Sequence, residues 1–136
     1  MPANPRRGKL ALVVEDDRAV GELLAMLLRD EGYRVIAVPD LERATRVIRL
    51  AMPSLITLDL CLSDACGPRV LEQLARLDLC RSVPILLITS EARWLPSWVR
   101  SKVFRAIDKP FDIDEVIAAA EEAVRLGPVP APARGN

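Results

Sequence analysis

Carboxylates, hydroxyls and a lysine follow directly after the most apolar runs of this sequence. In chain order, these polar residues are Glu15, Asp16 and Asp17, then Asp59, then Thr89 and Ser90, and finally Asp108 and Lys109. Short runs of branched apolar residues, such as LALVV and PILLIT, predict strands that are buried on both faces. Since ligands of parallel α/β sheets bind beyond the carboxyl ends of the strands, we expect these polar groups to converge there.

The residue types at this predicted edge favour a hard cation. Carboxylates that lie close together repel each other unless a cation or a proton intervenes. The sequence contains no histidine, and its three cysteines, Cys61, Cys66 and Cys80, match no zinc spacing. An oxygen-lined site without histidine or cysteine ligands selects Mg²⁺ where phosphate is handled. We expect the cysteines to be reduced and semi-buried.

Five strands and five helices are predicted to carry these residues. The strands are Leu10–Val14, Tyr33–Val38, Leu55–Leu58, Ile85–Thr89 and Val103–Ile107, of which the second and fifth have the weaker patterns. Their alternation with helical patterns implies a parallel sheet with helices on both faces.

The helices are predicted from apolar stripes and end signals. The inward residues of the first helix are Val20, Leu23, Leu24, Leu27 and Leu28, with Asp17 as N-cap and Gly32 as the stop. Those of the second helix, capped by Asp40, are Ala44, Val47, Ile48 and Ala51; those of the third, begun by Gly67-Pro68, are Val70, Leu71, Leu74 and Leu77. The fourth is short, from Pro96 to about residue 102, and the fifth, capped by Asp112, turns Ile113, Val116, Ile117, Ala120 and Val124 inward.

Length and charge narrow the function classes. A chain of 136 residues fits one domain, which we place at residues 9–126, with a flexible stretch at 1–8 and a disordered Pro/Ala-rich tail at 127–136. The 19 basic and 19 acidic side chains cancel, so the charge gives no case for direct binding to nucleic acid or to a membrane surface. The N-terminus lacks the apolar core of a signal peptide, and we expect a cytoplasmic protein.

Four motifs in order resemble one known family. VVEDD, LITLDLCLSDACG, PILLITS and DKPF are similar to the motifs of CheY-like receiver domains in two-component response regulators, over about residues 9–126. The resemblance implies a flavodoxin-like, doubly wound, five-stranded parallel sheet with strand order 2-1-3-4-5. It also implies a cis peptide bond between Lys109 and Pro110.

The resemblance assigns roles to particular residues. Asp59 would accept a phosphoryl group, Thr89 would bond a phosphoryl oxygen, and Lys109 would pair with the phosphate or with Asp59. The implied Mg²⁺ ligands are Glu15, Asp16, Asp59 and the backbone carbonyl of Cys61. Asp16 would bind the ion directly, and Glu15 would act directly or through a water molecule.

The function implied is that of a single-domain response regulator. A histidine kinase or a histidine phosphotransfer protein would donate the phosphoryl group, and a downstream protein, which the sequence does not identify, would read the result. The chain would be a monomer or weak dimer, and no enzyme beyond self-phosphorylation and self-dephosphorylation. The alternative is a pseudo-receiver that docks partners without phosphorylation. A phosphatase would need an Asp-x-Asp motif at Asp59, but Asp59 is followed by Leu60 and Cys61. A nucleotide-binding protein would need a Gly-rich phosphate loop, and the sequence has none.

One departure from the family pattern bears on how phosphorylation would be passed to a partner. Ala106 stands where the family usually has an aromatic ring that moves with the threonine, so that switch is in doubt. We expect Trp94, Trp98 and the last helix to dock the partner, with phosphorylation altering residues 90–95; the alternative is that both indoles are packing residues. Cys61 and Glu91 are expected to tune the loss of phosphate.

Overall fold

Five parallel strands form one sheet in the part of the chain that this computed structural model describes, residues 8–77 and 82–128. The strands are β1 (Leu10–Val14), β2 (Arg34–Val38), β3 (Leu55–Leu58), β4 (Ile85–Thr89) and β5 (Arg105–Asp108). Their order is β2-β1-β3-β4-β5, and every neighbouring pair is parallel. The flavodoxin-like fold and its strand order are therefore confirmed.

Helices connect the strands, and three of them begin at the predicted caps. They are α1 (Arg18–Asp30), α2 (Leu41–Ala51), α3 (Arg69–Ala75), α4 (Ser97–Arg100) and α5 (Ile113–Leu126), with a 3₁₀ turn at Ala92–Trp94. The side chains of Asp17, Asp40 and Asp112 accept backbone N–H bonds at the starts of α1, α2 and α5. Such caps satisfy amide groups that have no partner within the helix.

The sheet separates two apolar cores because successive strand residues point to opposite faces. On one face, Leu12, Ile56 and Leu87 pack with residues of α2, α3 and α4. On the other face, Ala11 and Leu86 pack with residues of α1 and α5. Covered on both faces, β1, β3 and β4 are buried throughout, which explains their unbroken apolar runs.

Some predicted boundaries and inward positions were wrong. β2 begins at Arg34, although Tyr33 is buried, and β5 runs from Arg105 to Asp108 instead of Val103–Ile107. The third helix begins at Arg69, after Pro68, and the fourth is confined to Ser97–Arg100. Ala51 and Ile113 are exposed, because they occupy helix ends where the sheet no longer covers them. The cis bond between Lys109 and Pro110 is present.

The outer limits of the predicted domain stay predictions. The first described strand begins at Leu10 and the last described helix ends at Leu126. The expectations for residues 1–7 and 129–136, and for Cys80, lie outside the described residues. Among the described helices, none has the length and apolar character needed to cross a membrane.

Candidate functional site

The backbone positions three predicted site residues at the carboxyl edge of the sheet. The N–H of Glu15 donates to the carbonyl of Val38 at 3.0 Å, and the N–H of Asp59 donates to the carbonyl of Val14, also at 3.0 Å. The N–H of Lys109 donates to the carbonyl of Thr89 at 3.1 Å. The strand ladders thus extend past the ends of β1, β3 and β5 and fix these residues in register.

Lys109 joins two buried carboxylates. Its Nζ donates to Oε1 of Glu15 and, at 3.0 Å, to Oδ2 of Asp59. Glu15 is 6% exposed and Asp59 is 7% exposed, so both acids are shielded from water. Buried charges require partners of this kind, since an unpaired one would carry a large desolvation penalty.

Asp16 completes an acidic cluster, which we define as Glu15, Asp16 and Asp59. One carboxylate oxygen from each of the three lies within 4.8 Å of the others. Asp16 is exposed, whereas Oε2 of Glu15 is buried and has no hydrogen-bond partner among the described residues. Three convergent carboxylate oxygens with spare acceptor capacity suit a hard, oxygen-preferring cation such as Mg²⁺. The donor set therefore fits the predicted metal.

The cluster shifts the pKa values of its two buried acids in opposite directions. Burial, together with hydrogen bonding to Asp59, raises the pKa of Glu15 to about 7, although Lys109 opposes this shift. Burial also acts to raise the pKa of Asp59, but hydrogen bonds with Glu15, Lys109 and the N–H of Cys61 outweigh it and hold that pKa below its usual range. The same contacts overcome burial at Lys109 and raise the pKa of its ammonium group. Asp59 is thus an ionised carboxylate at neutral pH, beside a charged lysine.

Asp59 also receives a backbone hydrogen bond. The N–H of Cys61 donates to Oδ1 of Asp59 at 3.1 Å. Because Lys109 occupies Oδ2, the two oxygens of Asp59 have different partners. Cys61 thus lies beside the acidic cluster, and its role as a carbonyl ligand stays a prediction.

Thr89 lies at the same edge, but its side chain joins none of these contacts. Thr89 is 1% exposed, and its Oγ1 has no hydrogen-bond partner in the described part of the protein. In the β4–β5 register it pairs with Asp108, whose carboxylate lies 3.9 Å from Nε of Arg93. The predicted bond from Thr89 to a phosphoryl oxygen stays a prediction.

The two described cysteines are exposed and free, so the expectation of semi-buried thiols was wrong. Cys66 Sγ donates a hydrogen bond to Cys61 Sγ at 2.9 Å. This contact raises the pKa of the Cys61 thiol to about 11.

Two indoles in the segment between β4 and β5 are accessible to solvent. Trp94 is 84% exposed and Trp98 is 36% exposed, so neither indole is buried in the core. Nη2 of Arg100 donates to the carbonyl of Ala92 at 2.6 Å and ties α4 to the 3₁₀ turn. Ala106 of β5 packs against the core on the face covered by α2, α3 and α4, and it has no ring to move. The docking role of this surface stays a prediction.

Asp64 makes a contact that the sequence analysis missed. Its two carboxylate oxygens accept the N–H groups of Leu41 and Glu42, at 3.0 and 3.1 Å. Burial acts to raise the pKa of Asp64, but these backbone bonds outweigh it and hold the pKa below its usual value. Because Asp64 lies 23 residues from Leu41, no local pattern could reveal this second cap of α2.

The comparisons with known proteins agree with this geometry. The family model described as the response regulator receiver domain matches residues 11–121. Protein Rrf1 of Nitratidesulfovibrio vulgaris is 31% identical over 113 residues, which cover 83% of this chain and 80% of Rrf1. The phosphate regulon transcriptional regulatory protein PhoB of Escherichia coli is 26% identical over 116 residues, which are 84% of this chain but only 51% of PhoB.

A solved structure with the same fold is the receiver domain of the sensor histidine kinase PA1611 from Pseudomonas aeruginosa. It has a TM-score of 0.76 and 24% sequence identity, and the match covers 87% of this chain and 98% of that domain. That structure has a magnesium ion coordinated in its active site cleft.

Proposed function

We propose that this chain, which belongs to the family of response regulator receiver domains of two-component systems, accepts a phosphoryl group on Asp59 and passes the signal to another protein. The observation that carries the proposal is the bridge from Lys109 to Asp59 and Glu15 at the rim of the acidic cluster. It puts a nucleophilic carboxylate, a fixed cation and potential metal ligands at one point.

The charge states suit attack on phosphorus. An ionised Asp59 can form a bond from a carboxylate oxygen to the phosphorus atom as the bond from phosphorus to the donor's leaving group breaks. Negative charge then gathers on the phosphoryl oxygens, and positioned cations and hydrogen-bond donors lower the barrier by stabilising it. Lys109 supplies one such charge, and the free hydroxyl of Thr89 is available to supply a hydrogen bond.

Mg²⁺ is the expected cofactor. Asp16, Glu15, Asp59 and the backbone carbonyl of Cys61 would hold it, and when bound it neutralises phosphoryl oxygens. Oε2 of Glu15 is buried and has no partner within residues 8–77 and 82–128, so it is the acceptor that such an ion would satisfy. The magnesium in the PA1611 receiver supports this assignment.

The phosphoryl donor would be a histidine kinase or a histidine phosphotransfer protein, because this chain has no histidine of its own to carry the group. The reaction is stoichiometric acceptance and loss of phosphate, so we propose no enzymatic activity on a separate substrate.

This chain spans about half the length of PhoB. We propose output through a protein partner and no direct binding to nucleic acid, which the zero net charge supports.

The alternative is a docking module that works without phosphorylation. Burying a lysine between two acids costs desolvation energy. A module that only docks partners would not need this arrangement. The contacts of Lys109 therefore favour the phosphoacceptor.

Intact mass spectrometry tests the proposal. The protein is incubated with Mg²⁺ and acetyl phosphate, and the modified residue is mapped by peptide fragmentation. We expect one phosphoryl group on Asp59, none in Asp59→Asn, and normal labelling of Asp17→Asn, since asparagine also caps helices well. A phosphoryl group that persists in Asp59→Asn, or a wild-type protein that takes up none, would overturn the proposal.

A further inference from the structure

The segment after β3 folds into a narrow turn in which Cys61 faces Cys66. The two cysteines form an isolated antiparallel bridge. The hydrogen bonds on either side run from Leu62 N–H to the Ala65 carbonyl at 2.9 Å and from Gly67 N–H to the Leu60 carbonyl at 2.7 Å. These bonds flank the cysteines without joining them, which is the pattern of a non-hydrogen-bonded antiparallel pair.

This backbone arrangement suits a covalent link between the two side chains. The Cα atoms of such a pair lie about 4.5 Å apart, within the range of roughly 4.4–6.8 Å that disulfides span. The Sγ atoms of Cys61 and Cys66 are already 2.9 Å apart, within about 1 Å of the covalent S–S length. Both residues are exposed, so a small oxidant can reach either sulfur. The spacing of such a pair is therefore compatible with a disulfide bridge.

We propose that Cys61 and Cys66 form a reversible intramolecular disulfide by exchange with a low-molecular-weight disulfide such as oxidised glutathione. One cysteine sulfur attacks the small disulfide, loses its proton and releases one glutathione thiol. The second cysteine then attacks the mixed disulfide, loses its proton and releases the second glutathione thiol. The two cysteines give up two electrons, and the small disulfide takes them up.

The link would act on the site beside it, a consequence that rests on the proposed function. In an extended segment the N–H and the carbonyl of one residue leave the same edge of the strand, and in this type of pair that edge faces away from the partner. The N–H of Cys61 does so and meets Oδ1 of Asp59. A disulfide holds Cys61 in this orientation, and with it the carbonyl that is expected to bind Mg²⁺. Restraining a ligand in advance lowers the entropy cost of binding.

The test uses the full chain with the Cys80→Ser substitution, so that only Cys61 and Cys66 can react. The protein is equilibrated with mixtures of oxidised and reduced glutathione, quenched by alkylation and analysed by intact mass and peptide mapping. We expect an internal disulfide, seen as the loss of two hydrogen atoms, no alkylation and a cross-linked Cys61–Cys66 peptide. Reduced glutathione should reverse it.

Single variants trap the intermediate. Cys66→Ser should keep glutathione on Cys61, and Cys61→Ser should keep it on Cys66, because neither can complete the exchange. Two outcomes overturn the proposal: both thiols stay open to alkylation in excess oxidised glutathione, or the disulfide joins two chains, as seen by non-reducing electrophoresis.

Calorimetry separates this inference from the proposed function. Oxidised protein should bind Mg²⁺ roughly two- to tenfold more tightly than reduced protein. A Cys61→Ser, Cys66→Ser double variant treated with the same oxidant should show no such change. Equal affinities in the two forms would refute the effect on the site. If reduced protein binds no Mg²⁺, the proposed function fails, while the mass measurements still decide whether the disulfide forms.

Discussion

The two parts of the sheet's carboxyl edge are built in opposite ways. At the ends of β1, β3 and β5, Glu15, Asp59 and Lys109 are bonded to one another and shielded from water. After β4, the Thr89 hydroxyl has no partner among the described residues, and Trp94 projects into solvent. The first region is held together by its own hydrogen bonds, whereas in the second the Thr89 hydroxyl is unbonded within the described part of the chain. The proposed function gives this difference a meaning. We infer that acceptance of phosphate and its readout depend on separate groups of residues.

The largest expected effect comes from removing the cation that links the acids. Lys109→Met leaves the charges of Glu15 and Asp59 without their common partner, and we expect phosphorylation by acetyl phosphate to slow at least about 100-fold. The rate is followed by intact mass, with circular dichroism as a check on folding. Lys102→Met, which removes an exposed lysine, should keep the wild-type rate. A rate close to wild type in Lys109→Met would contradict the central role of the bridge.

The next effect concerns the metal. Asp16→Asn removes a charge from the exposed corner of the acidic cluster, and Mg²⁺ affinity should fall by about tenfold or more. Isothermal titration calorimetry measures the change. The matched control is Asp17→Asn, one residue along, whose side chain caps α1 instead of joining the cluster. Equal affinities in the two variants would mean that Asp16 is no ligand.

A comparison of two buried threonines tests whether the Thr89 hydroxyl acts in the site. Thr57 serves as the control because its hydroxyl is expected only to pack in the core. Thr89 and Thr57 are both 1% exposed, and neither Oγ1 has a partner among the described residues. Thr89→Val should slow phosphorylation about tenfold, the equivalent of one lost hydrogen bond in the transition state. Thr57→Val should leave the rate unchanged.

Stability gives the complementary measurement on the threonine pair. Valine replaces a buried hydroxyl that lacks a bond, so each variant should be as stable as wild type or up to about 1 kcal/mol more stable in urea unfolding. A clear loss of stability in Thr89→Val would indicate a hydrogen bond in the resting protein. That result would remove the contrast between the two parts of the edge.

A smaller effect lies in the cap formed by Asp64. Losing its bonds to Leu41 and Glu42 in Asp64→Ala should lower the free energy of unfolding by about 0.5–1 kcal/mol at neutral pH. Because folding lowers the pKa of Asp64, its contribution is complete above the unfolded value of about 3.9 and is lost as pH falls through the folded value. Urea unfolding from pH 7 down to about pH 3 should show the difference from wild type becoming smaller. Glu121→Ala, an exposed substitution, should show no such trend.

The smallest expected effect on stability is at the indoles. Trp94→Phe should change the free energy of unfolding by less than about 0.5 kcal/mol, since the side chain is 84% exposed. In Trp98→Phe, Trp94 is the remaining tryptophan, and its fluorescence emission should shift on phosphorylation if residues 90–95 rearrange. An unchanged spectrum in protein that mass spectrometry shows to be phosphorylated would contradict that rearrangement.

The sequence predicted the acidic edge well because strand ends are local signals. The apolar runs ending at Glu15, Asp59 and Thr89 gave the strands, and the parallel order then required their polar ends to meet. Asp17, Asp40 and Asp112 were identified as caps for the same reason, since each acts within three residues of its position. The fifth strand was predicted to begin at Val103, which was wrong. Val103 and Phe104 are apolar and buried, but they lie before β5 and not within it.

What the sequence could not predict depends on contacts between distant residues. The bonds of Asp64 to α2 and the bridge from Lys109 to Glu15 join parts of the chain that only the fold brings together. The raised pKa of Glu15 follows from burial and neighbours, neither of which can be read from the residue type. The facing cysteines are close in sequence, but their pairing depends on a tight turn. No glycine or asparagine pattern in the sequence predicts that turn.

The bridge also bears on how the chain folds. Lys109 is separated by 94 residues from Glu15 and by 50 from Asp59, so the three groups meet only after β1, β3 and β5 have taken their places. Contacts of such long range form late, because the chain entropy lost in closing large loops must be offset first. A nascent chain that has not yet added its fifth strand therefore has Asp59 without its lysine. Under the proposed function, competence to accept a phosphoryl group would then arise only once the last strand is in place.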